Sequence, residues 1–178
     1  MKSLLVGAWL ASVLIATYAF HWRYATPVPA PAGAKDFRIG TPAPSIPGVN
    51  LDRGVTFLNF TREGCPCSRF VEPEFRALAS KYANRAQFIN VVEGDPQARD
   101  VPVRSIPNAD VGRRFGVWAA PAAVVVKDGR VLYVGSYNTA RYCSDPKTAF
   151  AAQALAAAVE NRPVPRARTP FYGCSLSR

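Results

Sequence analysis

Histidine is nearly absent from this sequence of 178 residues, which contains only His21. This scarcity excludes a cysteine–histidine catalytic pair, a zinc site with mixed cysteine and histidine ligands, and a haem attachment motif. Acidic residues are also few, 12 against 22 Lys and Arg, so the formal net charge is +10. Because the basic residues are scattered and lack interleaved aromatic residues, we expect a solvated basic surface and no nucleic-acid partner.

Cysteine is scarce too, and its four positions are Cys65, Cys67, Cys143 and Cys174. An even number of cysteines outside a membrane segment suits an oxidising compartment, although sequence alone does not choose among the three possible pairings. Hydrophobic residues make up 49% of the chain, which is enough to bury a core. We therefore expect one folded domain, with room for an anchor or a tail beside it.

The N-terminus carries an uncharged apolar stretch over residues 3–20. A membrane-spanning helix needs roughly 20 apolar residues, so this stretch is short but adequate. Trp22 and Tyr24 follow where interfacial rings settle. A cleaved signal peptide is the alternative, but bulky residues stand where small ones would mark cleavage. We expect an uncleaved single-pass anchor over residues 1–24 in an inner membrane, with the domain on the periplasmic or other extracytoplasmic side.

Three further segments follow the anchor. Residues 25–35 are rich in proline and alanine, a composition that predicts an extended spacer without packing. A folded domain is predicted over residues 36–160. A C-terminal tail over residues 161–178 completes the predicted organisation.

Local patterns in the domain predict an α/β fold. Runs of β-branched and aromatic residues over 55–60 and 87–92 predict two buried strands, separated by an amphipathic helix that contains Pro73. An Asp-Gly turn joins two more predicted strands, 122–126 and 130–134, into a hairpin. With an alanine-rich helix over 149–160, this order predicts a mixed sheet with helices on both faces.

Motifs at three places resemble the thioredoxin superfamily, and within it the membrane-tethered redoxins of bacterial envelopes. Residues 39–44 are similar to the Gly-x-x-Ala-Pro opening of those redoxins, Asn59 and Phe60 precede Cys65 at their spacing, and residues 116–129 resemble their cis-proline strand and hairpin. The Cys-Pro-Cys-Ser form also resembles an uncharacterised group of anchored thioredoxin-like proteins. The resemblance implies a thioredoxin-like mixed sheet flanked by helices, with thiol–disulfide chemistry at the cysteine pair.

The cysteine pair departs from the Cys-x-x-Cys pattern of that family. Judged by its distance from Pro73, Ser68 takes the place of the second cysteine and Cys67 lies one residue early. Cys65 is the predicted catalytic nucleophile, because unpaired backbone N–H groups and the helix dipole favour its thiolate there. Cys67 is the predicted resolving cysteine. The short spacer makes a Cys65–Cys67 bond strained, which favours an oxidant or isomerase over a reductant.

The resemblance also implies a substrate site beside the nucleophile. Pro121 is expected in cis, facing Cys65, with Ala120 next to it and a backbone edge left free to pair with a substrate peptide. Asn59 stands where the family has a buried acid or an asparagine, so no carboxylate is available there as a proton acceptor. Glu63 is near but is expected to be solvated.

Cys143 and Cys174 leave two alternatives open. The predicted topology brings Cys143 to the active-site end, and the 14 residues from Asn161 to Cys174 can span roughly 45 Å when extended. We favour a structural Cys143–Cys174 disulfide that pins the tail. The alternative is that Cys143 or Cys174 is a third redox cysteine that resolves Cys65.

The predicted function is a thiol–disulfide oxidoreductase, whether oxidant, isomerase or reductant, that acts on protein thiols and disulfides of the cell envelope without cofactor or metal. A thiol peroxidase of the redoxin type is one alternative, although Thr61 lies one residue too far from Cys65 for the peroxiredoxin pattern. Another is a soft-metal-binding or adaptor module, in which Cys65 and Cys67 would hold Cu(I). Copper-delivery relatives of this fold also use a histidine, which the domain lacks.

Overall fold

The structure is a computed structural model that describes residues 2–34, 37–98, 101–139 and 145–177. Helices are α1 (Lys2–Ala25), α2 (Pro66–Tyr82), α3 (Val111–Arg114) and α4 (Phe150–Val159), with a 3-10 turn at Pro146–Thr148. Strands are β1 (Val55–Arg62), β2 (Ala86–Glu93), β3 (Arg104–Pro107), β4 (Ala119–Ala120), β5 (Ala122–Lys127), β6 (Arg130–Gly135) and β7 (Cys174–Ser175).

Helix α1 is the predicted anchor segment. Its apolar part, Leu4–Trp22, has 19 residues, and none of this span is buried against the rest of the chain. Leucine, valine and tryptophan side chains along it are exposed, which is unfavourable in water but suits a hydrocarbon layer. The helix is therefore long and apolar enough to cross a membrane, a property that it shares with signal sequences.

A five-stranded mixed sheet forms the centre of the domain, in the order β3-β2-β1-β5-β6. Strands β1 and β2 are parallel, as the helical crossover predicts, and β5 and β6 form the antiparallel hairpin around Asp128 and Gly129. The predicted fold class is confirmed. The sequence patterns did not predict strand β3, Arg104–Pro107, which lies at the edge of the sheet and is parallel to β2. Pro107 is tolerated there because an edge strand has one side without a ladder partner.

Alternating side chains of β1 divide the core between the two faces of the sheet. Phe57 points to the face covered by α2 and α4, where it contacts Phe75 and Phe88. Leu58 points to the opposite face, which α3 and irregular segments cover. Both faces are consequently apolar and buried, which fixes the position of β1 and of the chain that leaves its C-terminal end.

The C-terminal tail returns across the domain instead of extending into solvent. Arg168 forms a parallel bridge to Val134 of β6, and the buried Thr169 accepts a hydrogen bond from the Ser136 N–H (3.0 Å). Farther along, the ring of Phe171 lies edge-on to Trp118, with ring centroids 4.5 Å apart. These contacts direct the end of the tail toward β4.

The spacer after α1 touches the same part of the tail. The Val28 N–H donates to the Phe171 carbonyl (2.8 Å), and the Val28 carbonyl accepts from the Trp118 indole (3.1 Å). The expectation that this segment does not pack is thus wrong at Val28. Its prolines lack N–H groups and cannot donate such bonds, but the valine between Pro27 and Pro29 has both backbone groups available.

Candidate redox site at the start of helix α2

Cys65 lies between the end of β1 and the start of α2. It is the N-cap residue of the helix, with extended φ and ψ of −82° and 115°, and Pro66 occupies the first helical position. Proline suits that position because the N–H it lacks would have no partner within the helix. The remaining first-turn N–H groups carry the positive end of the helix dipole, and that turn contains no acidic residue. The surroundings therefore favour a thiolate at Cys65.

Pro121 closes the site from the other side. The Ala120–Pro121 peptide bond is cis, which confirms the expected conformation, and the Ala120 carbonyl oxygen lies 3.7 Å from the Cys65 sulfur. Both Cys65 and Ala120 are buried. The end of β4 and the start of α2 thus enclose the sulfur between them.

The backbone edge beside Pro121 is occupied by the tail of the chain. Strand β7 pairs antiparallel with β4, with Cys174 opposite Ala120. Directly after β7, the Leu176 N–H donates to the Trp118 carbonyl (2.9 Å). The expectation that this edge is free is wrong, because the tail is long enough to return and is packed against the domain up to Phe171.

Gly173 permits this close approach. Its φ is +106°, and a Cβ added there would lie 2.3 Å from the Ala120 carbonyl oxygen, a distance that real side chains do not tolerate. Any other residue would push β7 away from β4. Glycine thus allows Cys174 to come within bonding reach of Cys65.

A disulfide joins Cys65 to Cys174, with the two Cα atoms 6.2 Å apart and the cysteines 109 residues apart in sequence. Since a sulfur forms only one such bond, the favoured Cys143–Cys174 bridge is wrong. Its partner Cys143 lies outside the described residues. The structure instead agrees with the alternative that Cys174 bonds to the nucleophile.

Cys67 and Ser68 occupy the first turn of α2. Cys67 is half-buried and is not bonded to Cys65, whose sulfur is taken by Cys174. Ser68, in the place of the family's second cysteine, is fully buried, and its hydroxyl oxygen accepts a hydrogen bond from the Arg62 N–H (3.2 Å). Ser68 therefore stabilises the turn between β1 and α2.

Charged side chains hold the last residues of the tail over the site. The Arg62 guanidinium donates to the Ser175 carbonyl (2.5 Å) and lies 4.0 Å from the Glu93 carboxylate. That carboxylate also accepts hydrogen bonds from the N–H (2.6 Å) and the hydroxyl of Ser177. Glu63 is exposed, as expected, and accepts a hydrogen bond from the Asp95 N–H (3.1 Å). The pair Arg62 and Glu93 clamps the tail, whereas Glu63 orders a neighbouring turn.

The family assignment follows from the sequence match. The model of a family described as "Domain of unknown function (DUF6436)" matches residues 41–176. The chain belongs to this family. The matched range includes the tail and Cys174, so both cysteines of the disulfide lie in the DUF6436 region. No protein of curated function matches the sequence.

Solved structures resemble this DUF6436 chain in fold. An uncharacterised conserved protein from Geobacillus kaustophilus superposes with a TM-score of 0.64 at 21% identity, covering 81% of this chain and 94% of that one. A hypothetical protein from Sinorhizobium meliloti gives 0.63 at 18% identity, with 79% and 94% covered. A thiol:disulfide interchange protein from Chlorobium tepidum gives 0.49 at 21%, with 70% and 99% covered. At these identities the likeness concerns the fold alone.

The fold is thioredoxin-like, as the resemblance implied. Its diagnostic features are the parallel pair β1–β2, the antiparallel hairpin β5–β6, a cysteine at the start of α2, and a cis-proline before β5. The DUF6436 chain adds strand β7, which lies outside the central sheet and pairs with β4. This addition changes the site, because it places the chain's own peptide where the resemblance implied a free edge.

A neutral polar network lies in the core below Cys65. The Asn59 side-chain amide donates to Asn90 (3.0 Å) and accepts from the Tyr137 hydroxyl (2.8 Å), and Thr61 also donates to Asn90 (3.2 Å). All four side chains are buried. Asn59 thus lies in the predicted position and joins a network of amides and hydroxyls, the kind that satisfies buried polar groups without charge.

Sequence reasoning missed the residues that position the tail: Arg62, Glu93, Phe171 and Gly173. Some signal for them was present. Phe171 and Tyr172 form an aromatic pair directly before Gly173 and Cys174, in a tail that is otherwise basic and proline-rich. Aromatic side chains beside a cysteine indicate a segment that packs against a core.

Proposed function

We propose that the protein is a thiol–disulfide oxidoreductase of the cell envelope in which Cys65 is the reactive cysteine and Cys174 is its resolving partner. The observation that carries this proposal is the disulfide between Cys65, at the start of α2, and Cys174, on the strand beside cis-Pro121. A bond that only held the tail in place would not require one of its sulfurs to lie at a helix N-terminus. That location lowers a cysteine pKa and makes the thiolate the attacking species.

The exchange proceeds in two displacements. In the reduced chain, the Cys65 thiolate attacks one sulfur of a substrate disulfide; that bond breaks, a mixed disulfide forms, and one substrate thiolate leaves. The Cys174 thiolate then attacks the Cys65 sulfur, breaks the mixed disulfide and expels the second substrate thiolate. Two electrons pass to the substrate, and the chain ends with the Cys65–Cys174 bond. The reverse sequence oxidises a substrate dithiol.

Pro121 and Ala120 are the proposed substrate-binding residues. The pairing of Cys174 with Ala120 supports this proposal, because the β4 edge there binds an extended segment whose cysteine lies opposite Ala120. A substrate peptide would take the same place after β7 leaves. The substrates we propose are therefore protein thiols and disulfides presented in extended segments.

The compartment is the second part of the proposal. Disulfides persist in oxidising compartments, and α1 is long and apolar enough to hold the domain at a membrane. We propose a single-pass anchor in the inner membrane with the domain on the periplasmic side. Fusing alkaline phosphatase after the domain tests this orientation, since the enzyme is active only when exported; an inactive fusion would refute it.

The assignment of the resolving cysteine can be tested with matched serine variants. The full chain in detergent is equilibrated in glutathione buffers, quenched with acid, alkylated and mapped by mass spectrometry. We expect Cys67→Ser to retain the redox-responsive bond and Cys174→Ser to accumulate glutathione on Cys65. The prediction from sequence, in which Cys67 resolves Cys65, requires the opposite pattern. A Cys65–Cys174 bond that no buffer reduces would overturn the proposed function.

The same titration gives the direction of electron flow. A reduction potential near about −270 mV is typical of a reductant, whereas values near about −120 to −180 mV are typical of oxidants and isomerases. The potential depends on how far each state stabilises the Cys65 thiolate and on how firmly β7 is held. Substitution of Arg62 by Gln, which removes a contact to β7 and leaves both sulfurs in place, is expected to raise the potential by weakening the oxidised form.

A further inference from the structure

The two sulfurs of the disulfide differ in access to solvent. Cys65 is 2% exposed, and its sulfur lies 3.7 Å from the Ala120 carbonyl oxygen. Cys174 is partly exposed and is followed by the exposed Ser175. A molecule that approaches from solvent therefore meets the cysteine of the tail before it meets the cysteine of the helix.

The geometry of thiol–disulfide exchange makes this difference decisive. A thiolate approaches a disulfide along the line of the S–S bond, so attack on the Cys65 sulfur must come from the side opposite Cys174. That side belongs to a buried residue enclosed by the start of α2 and the end of β4. Attack on the Cys174 sulfur comes from the side opposite Cys65, and Cys174 is a partly exposed residue followed by the exposed Ser175.

The stability of the leaving thiolate also favours attack at Cys174 over attack at Cys65. Exchange is faster when the departing thiolate has the lower pKa. Attack at Cys174 expels the Cys65 thiolate, which the N-terminus of α2 stabilises. Attack at Cys65 would expel Cys174 from the two-residue strand β7, which has no helix dipole behind it.

We propose that the electron donor of this protein reacts at Cys174 and that Cys65 is the leaving thiolate. The inference rests on the proposed thiol–disulfide exchange running in the direction that reduces the substrate, and the donor's chemical class is a dithiol. Its first thiolate attacks the Cys174 sulfur; the Cys65–Cys174 bond breaks, a donor–Cys174 mixed disulfide forms, and the Cys65 thiolate departs. The second donor thiolate attacks the donor's own sulfur, which releases Cys174 as thiolate and the donor as disulfide. Both electrons thus reach the chain through its tail.

This route separates the two partners of the protein. The donor reacts with a sulfur on the tail, whereas the substrate reacts with Cys65 at the β4 edge, which β7 covers in the oxidised state. A donor therefore needs no extended segment that fits the β4 edge, and it can act before that edge is uncovered. Specificity for the substrate and specificity for the donor reside on different surfaces.

Mapping the first adduct tests the proposal. The oxidised full chain in detergent is mixed with glutathione as the probe, quenched with acid after increasing times, alkylated with a maleimide and mapped by mass spectrometry. At the earliest times we expect glutathione on Cys174 and maleimide on Cys65, in a ratio above about ten to one over the reverse pattern. The Cys67→Ser variant, run in parallel, removes transfer of the adduct to that thiol.

The outcomes are distinct. Glutathione on Cys65 with maleimide on Cys174 at the earliest times overturns this inference and leaves the proposed function intact. Absence of any adduct, with the disulfide unreduced even by excess dithiothreitol under native conditions, overturns both. A bulkier thiol, such as a cysteine-containing peptide, provides a second measurement: if Cys174 is the attacked sulfur, its rate should fall by less than about tenfold relative to glutathione, since the tail faces solvent.

Discussion

Loss of the Cys65–Cys174 bond should lower the stability of the domain by an amount set by the loop that the bond closes. The cysteines are 109 residues apart in sequence, so the loop runs from the start of α2 to β7. Chain entropy predicts a loss of about 4–5 kcal/mol for a loop of this length, and measured losses are typically about 2–4 kcal/mol. We therefore expect Cys174→Ser to lower the free energy of unfolding by about 3 kcal/mol.

Urea denaturation of the full chain in detergent measures this loss. With a typical slope of about 2 kcal/mol/M, a loss of 3 kcal/mol moves the midpoint down by about 1.5 M. Reduced wild-type chain should shift by a similar amount, since it loses the same bond and no side chain. Cys67→Ser is the matched control and should shift by less than about 0.5 M, because Cys67 takes no part in the disulfide. Equal midpoints for oxidised wild type and Cys174→Ser would refute the reasoning.

Hydrogen exchange locates the change within the tail. Reduction should expose the Leu176 N–H, which donates to Trp118, because β7 is then held by a two-residue pairing and by the exposed contacts of Arg62 and Glu93. The Val28 N–H, which donates to Phe171, should remain protected, because the Phe171 ring is buried against Trp118. Equal loss of protection at both amides would mean that the whole tail detaches, contrary to this account.

Three further perturbations have defined outcomes. Gly173→Ala, whose added Cβ would clash with Ala120 at 2.3 Å, should lower the free energy of unfolding by about 2–4 kcal/mol and reduce disulfide formation in air. The control Gly54→Ala, also at positive φ but in open space, should lower it by about 1 kcal/mol and leave the bond intact. Equal urea midpoints for the two variants would contradict this. Asn59→Asp places a carboxyl in the buried neutral network, and burial raises its folded-state pKa. The stability of the variant relative to wild type should therefore be highest below about pH 4 and fall as pH rises; a pH-independent difference from wild type in urea would argue against it. Burial raises the pKa of Tyr133, with a smaller opposing effect of its Thr169 hydrogen bond. The contribution of the neutral phenol to stability is therefore complete below about pH 10 and is lost as pH rises further. Tyr133→Phe should lose less stability than wild type at alkaline pH, and an identical loss would contradict the raised pKa.

The central elements could be predicted because their signals are local. Strand β1 is rich in β-branched and aromatic residues, α2 has helical periodicity, and the β5–β6 hairpin has an Asp-Gly turn. Cys65 could be placed for the same reason, since a strand, a short turn and a helix define its position. Each of these predictions needed fewer than about twenty residues of context.

The bond to Cys174 could not be predicted in this way. Its determinants are contacts between distant segments: Phe171 with Trp118, Val28 with Phe171, and Arg62 with Ser175. None of these pairs has a periodic signature, and pairing rules for four cysteines do not choose among connectivities. Nearness in sequence favoured Cys67 as the partner of Cys65, whereas packing of the tail against β4 and β6 brought Cys174 to it.

In the proposed mechanism a distant cysteine, Cys174, resolves the mixed disulfide in place of a nearby one, and the structure limits the cost of that distance. A resolving thiol must reach the mixed disulfide quickly, and a long flexible tether would lower its effective concentration. Here the tether is short, because Phe171 is buried and bonded to Val28, and only Tyr172 and Gly173 separate it from Cys174. Three residue steps span at most roughly 10 Å, so Cys174 stays within reach of Cys65 even when β7 has left the β4 edge.

In the proposed mechanism the tail can therefore admit a substrate and still resolve the mixed disulfide, because Phe171 fixes its position. Phe171→Ala should slow resolution and prolong the Cys65–substrate mixed disulfide, which mass spectrometry of quenched samples would detect. A resolution rate equal to that of wild type would show that the tail needs no such fixed point.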